Sequence, residues 1–268
     1  MNKIVMGVEK MTRIFWFSGS GNSFYVAKKI AEGIGDAELV HVSDAIGEQM
    51  DIPENMGLVF PVYAWGPPAI VADFIDALPE IRPEYTFAVA TCGASAGPTM
   101  SIVGKMLGKR GIQLKADFIV KMVENYPPMG GAPSKDKQDE ILEKSRSVIQ
   151  SVVDSISSRG EGSHGKKGIF FSLLGRIVYP LFRKNVSKQA KKFHADEKCT
   201  SCGVCVRVCP VDTIQLDSDG RPVWGNRFQQ CFACFHWCPE EAVQYGKKTP
   251  DQVRYHHPEV SLEEMFRK

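Results

Sequence analysis

TRIFWFSGSGNSFYVAKKIAEGI, residues 12–34, reads as strand, loop and helix in one stretch. Residues 12–17 form a short apolar, aromatic-rich run, and beyond the loop Val26, Ala27, Ile30 and Ile34 recur at helical spacing over 21–34. Between them lies Ser18-Gly19-Ser20-Gly21-Asn22-Ser23. Small residues there let backbone N–H groups crowd a phosphate at the start of a helix, while hydroxyls donate to it. No lysine follows, so this is not a Walker A loop, and Gly19-x-Gly21-x-x-Phe24 lacks the third glycine of a dinucleotide fingerprint. Taken alone, such a loop is equally an ordinary turn.

Outward from this unit the alternation continues. A weaker strand fits 38–42, and apolar runs at 57–62, 86–92 and 117–121 are each followed by a helix-like stretch, at 67–78, 98–109 and 134–158. Five strands alternating with helices predict an α/β domain over residues 12–158, with a doubly wound five-stranded parallel sheet. In that fold ligands sit beyond the carboxyl ends of the strands, where the winding reverses. Two further loops fall there. Pro61-Val62-Tyr63-Ala64-Trp65-Gly66-Pro67 offers aromatics for a flat ring, or for packing on its own prolines. Thr91-Cys92-Gly93-Ala94-Ser95-Ala96-Gly97 leaves small, polar backbone for a ring edge. No histidine or acid with catalytic spacing accompanies Cys92, which reads as a packing or ligand-bordering residue. The chemistry of the three loops together fits FMN, and no catalytic residue stands out.

Seven of the eight cysteines fall near the C-terminus, in two runs that each end in Cys-Pro. The first, Cys199, Cys202, Cys205 and Cys209-Pro210, is C-x2-C-x2-C-x3-C-P, in which three thiolates wrap one cubane and the fourth reaches the other. The second, Cys231, Cys234 and Cys238-Pro239, has Phe228 where its leading cysteine is expected. Zinc favours two Cys pairs a dozen or more residues apart, not four thiolates within eleven. Apart from the cysteine run, no internal repeat is apparent.

The cysteine runs resemble bacterial-type ferredoxins with two 4Fe-4S clusters. Carried over by position, one cluster takes Cys199, Cys202, Cys205 and Cys238, and the other takes Cys209, Cys231 and Cys234 only. The second centre is then 3Fe-4S, or 4Fe-4S with another ligand on one iron, or absent. His236 lies at the wrong spacing to fill the corner and reads as a buried or partner-facing histidine. FSGSGNS is similar to the hydroxyl-rich phosphate loop of flavodoxins. With FPVYAWGPP, ATCGASAG, CTSCGVCVRVCP and CFACFHWCP, the chain resembles the flavodoxin-ferredoxin fusion proteins of anaerobic prokaryotes. That resemblance implies a flavodoxin-like domain first, a small α+β ferredoxin-like domain (196–247) last, and electron transfer between FMN and iron–sulfur clusters. A flavin accepts two electrons and a cubane one, so a two-to-one-electron converter is implied. Two alternatives are a flavin-dependent reductase fed by the clusters, and a redox sensor using an open-cornered cluster.

Between the halves, residues 159–195 carry nine Lys or Arg (Arg159, Lys166, Lys167, Arg176, Arg183, Lys184, Lys188, Lys191, Lys192) against the single acid Glu161. The apolar run 169–182 is too short for the roughly 20 residues that cross a bilayer. It reads as a helix docked on the domains, and less readily as a membrane-surface helix or a site for an acidic redox partner. No nucleic-acid motif appears. A net charge of +2 singles out no partner. Residues 1–11 read as a loose extension without the basic and apolar regions that export needs, so a cytoplasmic, reducing setting is expected, with thiolates free for metal. Asp217 to Gly220 mark a turn between the cysteine runs, Trp224 and Trp237 shield the clusters, and the tail 248–268 ends in a helical turn packed on the first domain. Unidentified redox donor and acceptor proteins are the expected partners.

Overall fold

The strand β1 (Thr12–Trp16) sorts its side chains to two faces with period two. Phe15, with Phe17 just beyond the strand, joins one core, and Ile14 and Trp16 join another. This is the signature of a strand buried on both sides, as central strands of parallel sheets are. The computed structural model describes residues 11–47, 53–164 and 169–267, so the expected extension (apart from Met11), Lys166 and Lys167 lie outside the described residues.

After β1 come α1 (Asn22–Ile34), β2 (Ala37–His41), the single turn α2 (Val42–Ala45), β3 (Asn55–Pro61) and α3 (Ala69–Ala77). They are followed by β4 (Tyr85–Cys92), α4 (Thr99–Lys109), β5 (Ala116–Lys121), α5 (Lys135–Ser157) and β6 (Gly162–Ser163). The sheet order is β2-β1-β3-β4-β5-β6, parallel throughout. Its first five strands follow the flavodoxin-like order, with the switch point between β1 and β3. Residues of α1 and α5 share one core with Phe87, Val89 and Phe118, while those of α3 and α4 share the other with Leu58 and Phe60. The sequence leads to five strands and the structure has six. The added β6 is two residues, Gly162 and Ser163, pairing with Ala116 and Asp117 inside the expected linker. Neither carries an apolar side chain that would register as a strand.

The apolar run of the linker lies within α6 (Ile169–Asn185), which continues through Pro180. It is docked on the first domain. A Cβ on Gly175 would stand 2.6 Å from Pro98, and one on Gly66 would stand 2.1 Å from the Tyr179 ring. Arg183 ties the helix end to Asp73 at 2.6 Å and Asp76 at 2.9 Å on α3. Among the described residues no helix is long and apolar enough to cross a membrane.

The C-terminal half is a repeat, larger than the cysteine spacing suggests. The first copy runs β7 (Phe193–Ala195), cysteine loop, α7 (Val204–Arg207), β8 (Ile214–Leu216). The second runs β9 (Pro222–Trp224), cysteine loop, α8 (Ala233–His236), β10 (Val243–Tyr245). The copies interlock, because β7 pairs antiparallel with β10 and β8 with β9. Left-handed backbone recurs at matching places: Ser201 and Gly203 around Cys202, Gln230 and Phe232 around Cys231, and Asp212 and Glu241 after each Cys-Pro. The α+β expectation for this half holds.

Candidate iron–sulfur and flavin-loop sites

The cysteine loop of each copy is bent by two left-handed residues flanking its second ligand position, so that the thiols turn toward one centre. Four thiols, of Cys199, Cys202, Cys205 and Cys238, line one cavity of about 340 Å³ with Gly203, Leu216 and Val243. Cys238 comes from the second copy, and the backbone N–H of Ala242 donates to its Sγ at 3.3 Å. Cys202 is exposed and Cys205 is buried, so the site is rooted in the core and opens to solvent. A 4Fe-4S cluster fits this donor set: one thiolate for each iron, an amide on a sulfur, and apolar walls.

The second cavity, about 270 Å³, is lined by Cys209, Cys231 and Cys234, together with Phe228 and Phe232. Phe228 holds the position that Cys199 holds in the first copy. Its ring is buried and lies 5.0 Å from that of Phe193. Two amide-type donors reach these sulfurs: the Thr213 N–H to Cys209 at 3.4 Å and the Trp224 indole N–H to Cys234 at 3.4 Å. His236 offers no lone pair to the corner. Its Nδ1 accepts from the Tyr255 N–H at 3.2 Å, which makes Nε2 the donor to the Asn125 carbonyl at 3.1 Å. Burial, reinforced by neighbouring thiols, pushes the thiols of Cys205 and Cys231 up to about 12 and raises Cys234, and burial with the nearby Asp212 charge raises Cys209. Binding iron through these thiols therefore releases their protons.

Loops at the carboxyl ends of β1 and β4 come together, with the Ser23 and Thr91 hydroxyls paired, and the three-thiol cavity adjoins them through Cys231 at Gly19. Ser18, Ser20, Asn22 and Ser23 are all buried. The Ser18 hydroxyl accepts from the Gly21 N–H, and the Ser23 and Thr91 hydroxyls pair at 2.8 Å. Asn125 donates to the Ser20 hydroxyl at 2.7 Å. The Asn22 amide donates to the Val123 carbonyl at 3.1 Å and accepts from the Tyr255 hydroxyl at 2.7 Å. The Trp237 indole donates to the Gly19 carbonyl at 2.9 Å, and the His257 N–H to the Ser20 carbonyl at 2.9 Å. Each such bond nets about 0.5–1.5 kcal/mol. Trp237, expected to shield a cluster, thus joins the two halves.

The ring loop is covered too. Tyr63 and Gly66 exchange backbone hydrogen bonds at 2.8 and 2.9 Å, leaving Ala64 and Trp65 as left-handed turn residues. Non-glycine residues in that conformation cost on the order of 1 kcal/mol each. A Cβ on Gly97 would stand 2.9 Å from Trp65, and Gly175 and Tyr179 of α6 close over the same turn. Burial, reinforced by neighbouring Cys231, pushes the Tyr63 phenol upward. Gly93 packs on Glu124, with 2.5 Å between a built Cβ and its side chain. Burial also raises the Cys92 thiol, more than its sheet partner Lys121 lowers it, while Pro61 pairs with Thr91 across the sheet. In the contacts of the Ser18–Ser23 loop, the Ser18 and Ser20 hydroxyls are acceptors and keep their own protons, the donors that an FMN phosphate would use.

Residues 195–215 match the family model described as "4Fe-4S binding domain". The chain is similar to a ferredoxin of Pyrobaculum islandicum, 36% identical over 58 residues, which are 21% of this chain and 53% of that protein. The chain thus spans about half the length of the curated relative it matches. Its fold is similar to a flavoprotein from Lactobacillus acidophilus in complex with FMN (TM-score 0.36, 16% identity, 41% of this chain and 93% of that one). It is also similar to the two-electron-reduced flavodoxin of Megasphaera elsdenii (TM-score 0.33, 20% identity, 41% of this chain and 85% of that one). The chain thus joins an α/β domain of flavodoxin-like strand order to a cysteine-rich half whose residues 195–215 match a 4Fe-4S binding domain.

Proposed function

We propose that the chain is an electron-transfer protein working through its iron–sulfur half. The observation that carries this reading is the ring of four thiols around one solvent-reaching cavity, drawn from both copies of the repeat. A 4Fe-4S cluster held there supplies one-electron chemistry. The protein's part is to bind it through Cys199, Cys202, Cys205 and Cys238, to donate the Ala242 amide to sulfur, and to keep water from its inner side with Val204 and Val243. Exposed Cys202 marks the side that redox donor and acceptor proteins would approach. The cavity lined by Cys209, Cys231 and Cys234 adjoins the first flavodoxin-like loop through the Cys231 carbonyl at Gly19. Covering of the Tyr63–Gly66 turn by α6 supports a carrier over a reductase with a substrate pocket above a ring. Two-to-one-electron exchange with a flavin held at the carboxyl-end loops is the finer reading.

The test is iron and acid-labile sulfide content together with the low-temperature EPR spectrum of anaerobically reconstituted protein, before and after dithionite. The expected result is a reducible 4Fe-4S centre that a Cys238→Ser variant loses or alters. Bound zinc without any iron–sulfur signal in the native chain sinks the reading.

A further inference from the structure

The tail beyond β10 sends one cation back to the cysteine-rich half. We propose that Arg254 is a positioning residue for the four-thiol centre: it grips the peptide whose N–H meets the Cys238 sulfur, and its charge raises that centre's reduction potential. The inference rests on a 4Fe-4S cluster being held by Cys199, Cys202, Cys205 and Cys238.

The peptide unit between Glu241 and Ala242 carries the argument. Its N–H end donates to Cys238 Sγ at 3.3 Å, and its C=O end accepts from Arg254 Nη2 at 2.6 Å. Gln244 donates to the same carbonyl at 2.9 Å. Glu241 is left-handed, with φ 51°, in the turn that follows Cys238-Pro239 and brings the N–H back to the sulfur. A charged donor on the carbonyl polarises the peptide and strengthens the hydrogen bond at its other end. Arg254 is itself held in place: Nη1 donates to the Phe235 and Val243 carbonyls at 3.0 and 2.9 Å, and the guanidinium carbon lies 3.4 Å from the centre of the Phe235 ring. Among the described residues these bonds all go to carbonyls and none to a carboxylate. The Asp196 carboxylate is taken up instead by the Lys198 N–H and the Gln244 amide. Burial disfavours the charge of Arg254, while Glu241, Cys238, Asp196 and Cys234 favour it, in that order. The other copy of the repeat has the turn without the cation. Asp212 is left-handed at φ 49° and the Thr213 N–H donates to Cys209 Sγ at 3.4 Å, yet among the described residues no side chain donates to the Asp212 carbonyl. Reduction adds one negative charge to a cluster, so a fixed cation coupled to one of its sulfurs stabilises the reduced form more than the oxidised one.

Redox titration of the full-length, reconstituted protein tests this, followed by the 4Fe-4S EPR signal that Cys238→Ser removes or alters. The native chain, Arg254→Gln and Arg254→Lys are compared, with iron and sulfide counted in each sample. Arg254→Gln keeps an amide able to meet a carbonyl and loses the charge. Its centre should be about tenfold harder to reduce against a one-electron mediator, a shift of about 59 mV to more negative potential. Arg254→Lys keeps the charge and should shift less than half as far. A residue that only tied down the tail would lower iron content or thermal stability in both variants alike and leave the potential of the loaded centre where it was. If Arg254→Gln takes up no cluster, Gln244→Met, which strips the other donor from the same carbonyl, is titrated in its place and should move the potential the same way by a smaller amount. An unshifted potential in the loaded variant, or equal shifts in the Gln and Lys variants, overturns the proposal. A native chain with no reducible 4Fe-4S signal overturns instead the cluster reading beneath it.

Discussion

Replacing Phe228 by cysteine should destabilise the iron-free chain and improve the iron-loaded one. The ring is 4% exposed, lines the cavity of Cys209, Cys231 and Cys234, and packs on Phe193 at 5.0 Å. Truncating a buried phenylalanine to alanine costs about 3–5 kcal/mol. Cysteine restores one heavy atom, so we expect a loss of about 3 kcal/mol without metal, read as a lower urea midpoint at unchanged slope. With iron the sign reverses, because the new thiol stands where the repeat places Cys199 in the other copy. Iron content should rise by about one atom per chain if the native centre lacks its fourth iron, and any 3Fe-4S signal should give way to a reducible 4Fe-4S signal. The two measurements use one preparation, split before reconstitution. Unchanged iron content and an unchanged spectrum in Phe228→Cys would refute the ligand assignment, and with it the structural equivalence of positions 199 and 228.

Other outcomes follow from single contacts. Trp224→Phe removes the indole N–H from the Cys234 sulfur, so the second centre's potential should move to more negative values in a redox titration while the first centre's stays put. Gly33→Ala places a methyl 2.4 Å from Val153 across the α1–α5 contact. Helix propensity gains about 1 kcal/mol and overpacking costs about 1–3, so a small net loss in thermal stability is expected, relieved by adding Val153→Ala. Burial, with Arg267 adding repulsion and Asp44 opposing it, lowers His41 to about 3 from 6.5. The unfolded chain therefore takes up a proton that the native chain refuses, and stability falls as pH drops from 6.5 toward 3. Between pH 6.5 and 5 the native chain should lose up to about 2 kcal/mol more than His41→Gln, measured by urea unfolding at each pH.

Much of the fold is legible in the sequence because its central strands are apolar on both faces. The runs containing Phe15, Leu58, Val89 and Phe118 could hardly be placed anywhere but inside a covered sheet, and the helices between them show their spacing. The strand Gly162–Ser163 is invisible for the opposite reason, since it pairs through backbone alone. The repeat of the C-terminal half hides behind its residue types. Its bends use Ser201, Gly203 and Asp212 in one copy and Gln230, Phe232 and Glu241 in the other, and only the cysteine spacing is shared. That spacing alone singles out Phe228.

The seat of the second half is the part no local reading could reach. A run of small, hydroxyl-bearing residues at a helix start means that something electron-rich or bulky comes close to the backbone; it does not say what. An anion's oxygens and the carbonyl of Cys231 make the same demand on Gly19, and Trp237 meets that residue from 218 positions away. Only the tertiary contact separates the two meanings of the motif. Where a chain carries both a phosphate-type loop and a second domain able to fold back on it, the loop's composition is evidence of close approach, and of a ligand where N–H and O–H donors remain to meet it. Here the Ser18 and Ser20 hydroxyls accept, from the Gly21 N–H and from Asn125, so each keeps its own proton to donate, and the loop serves close approach and an anion alike.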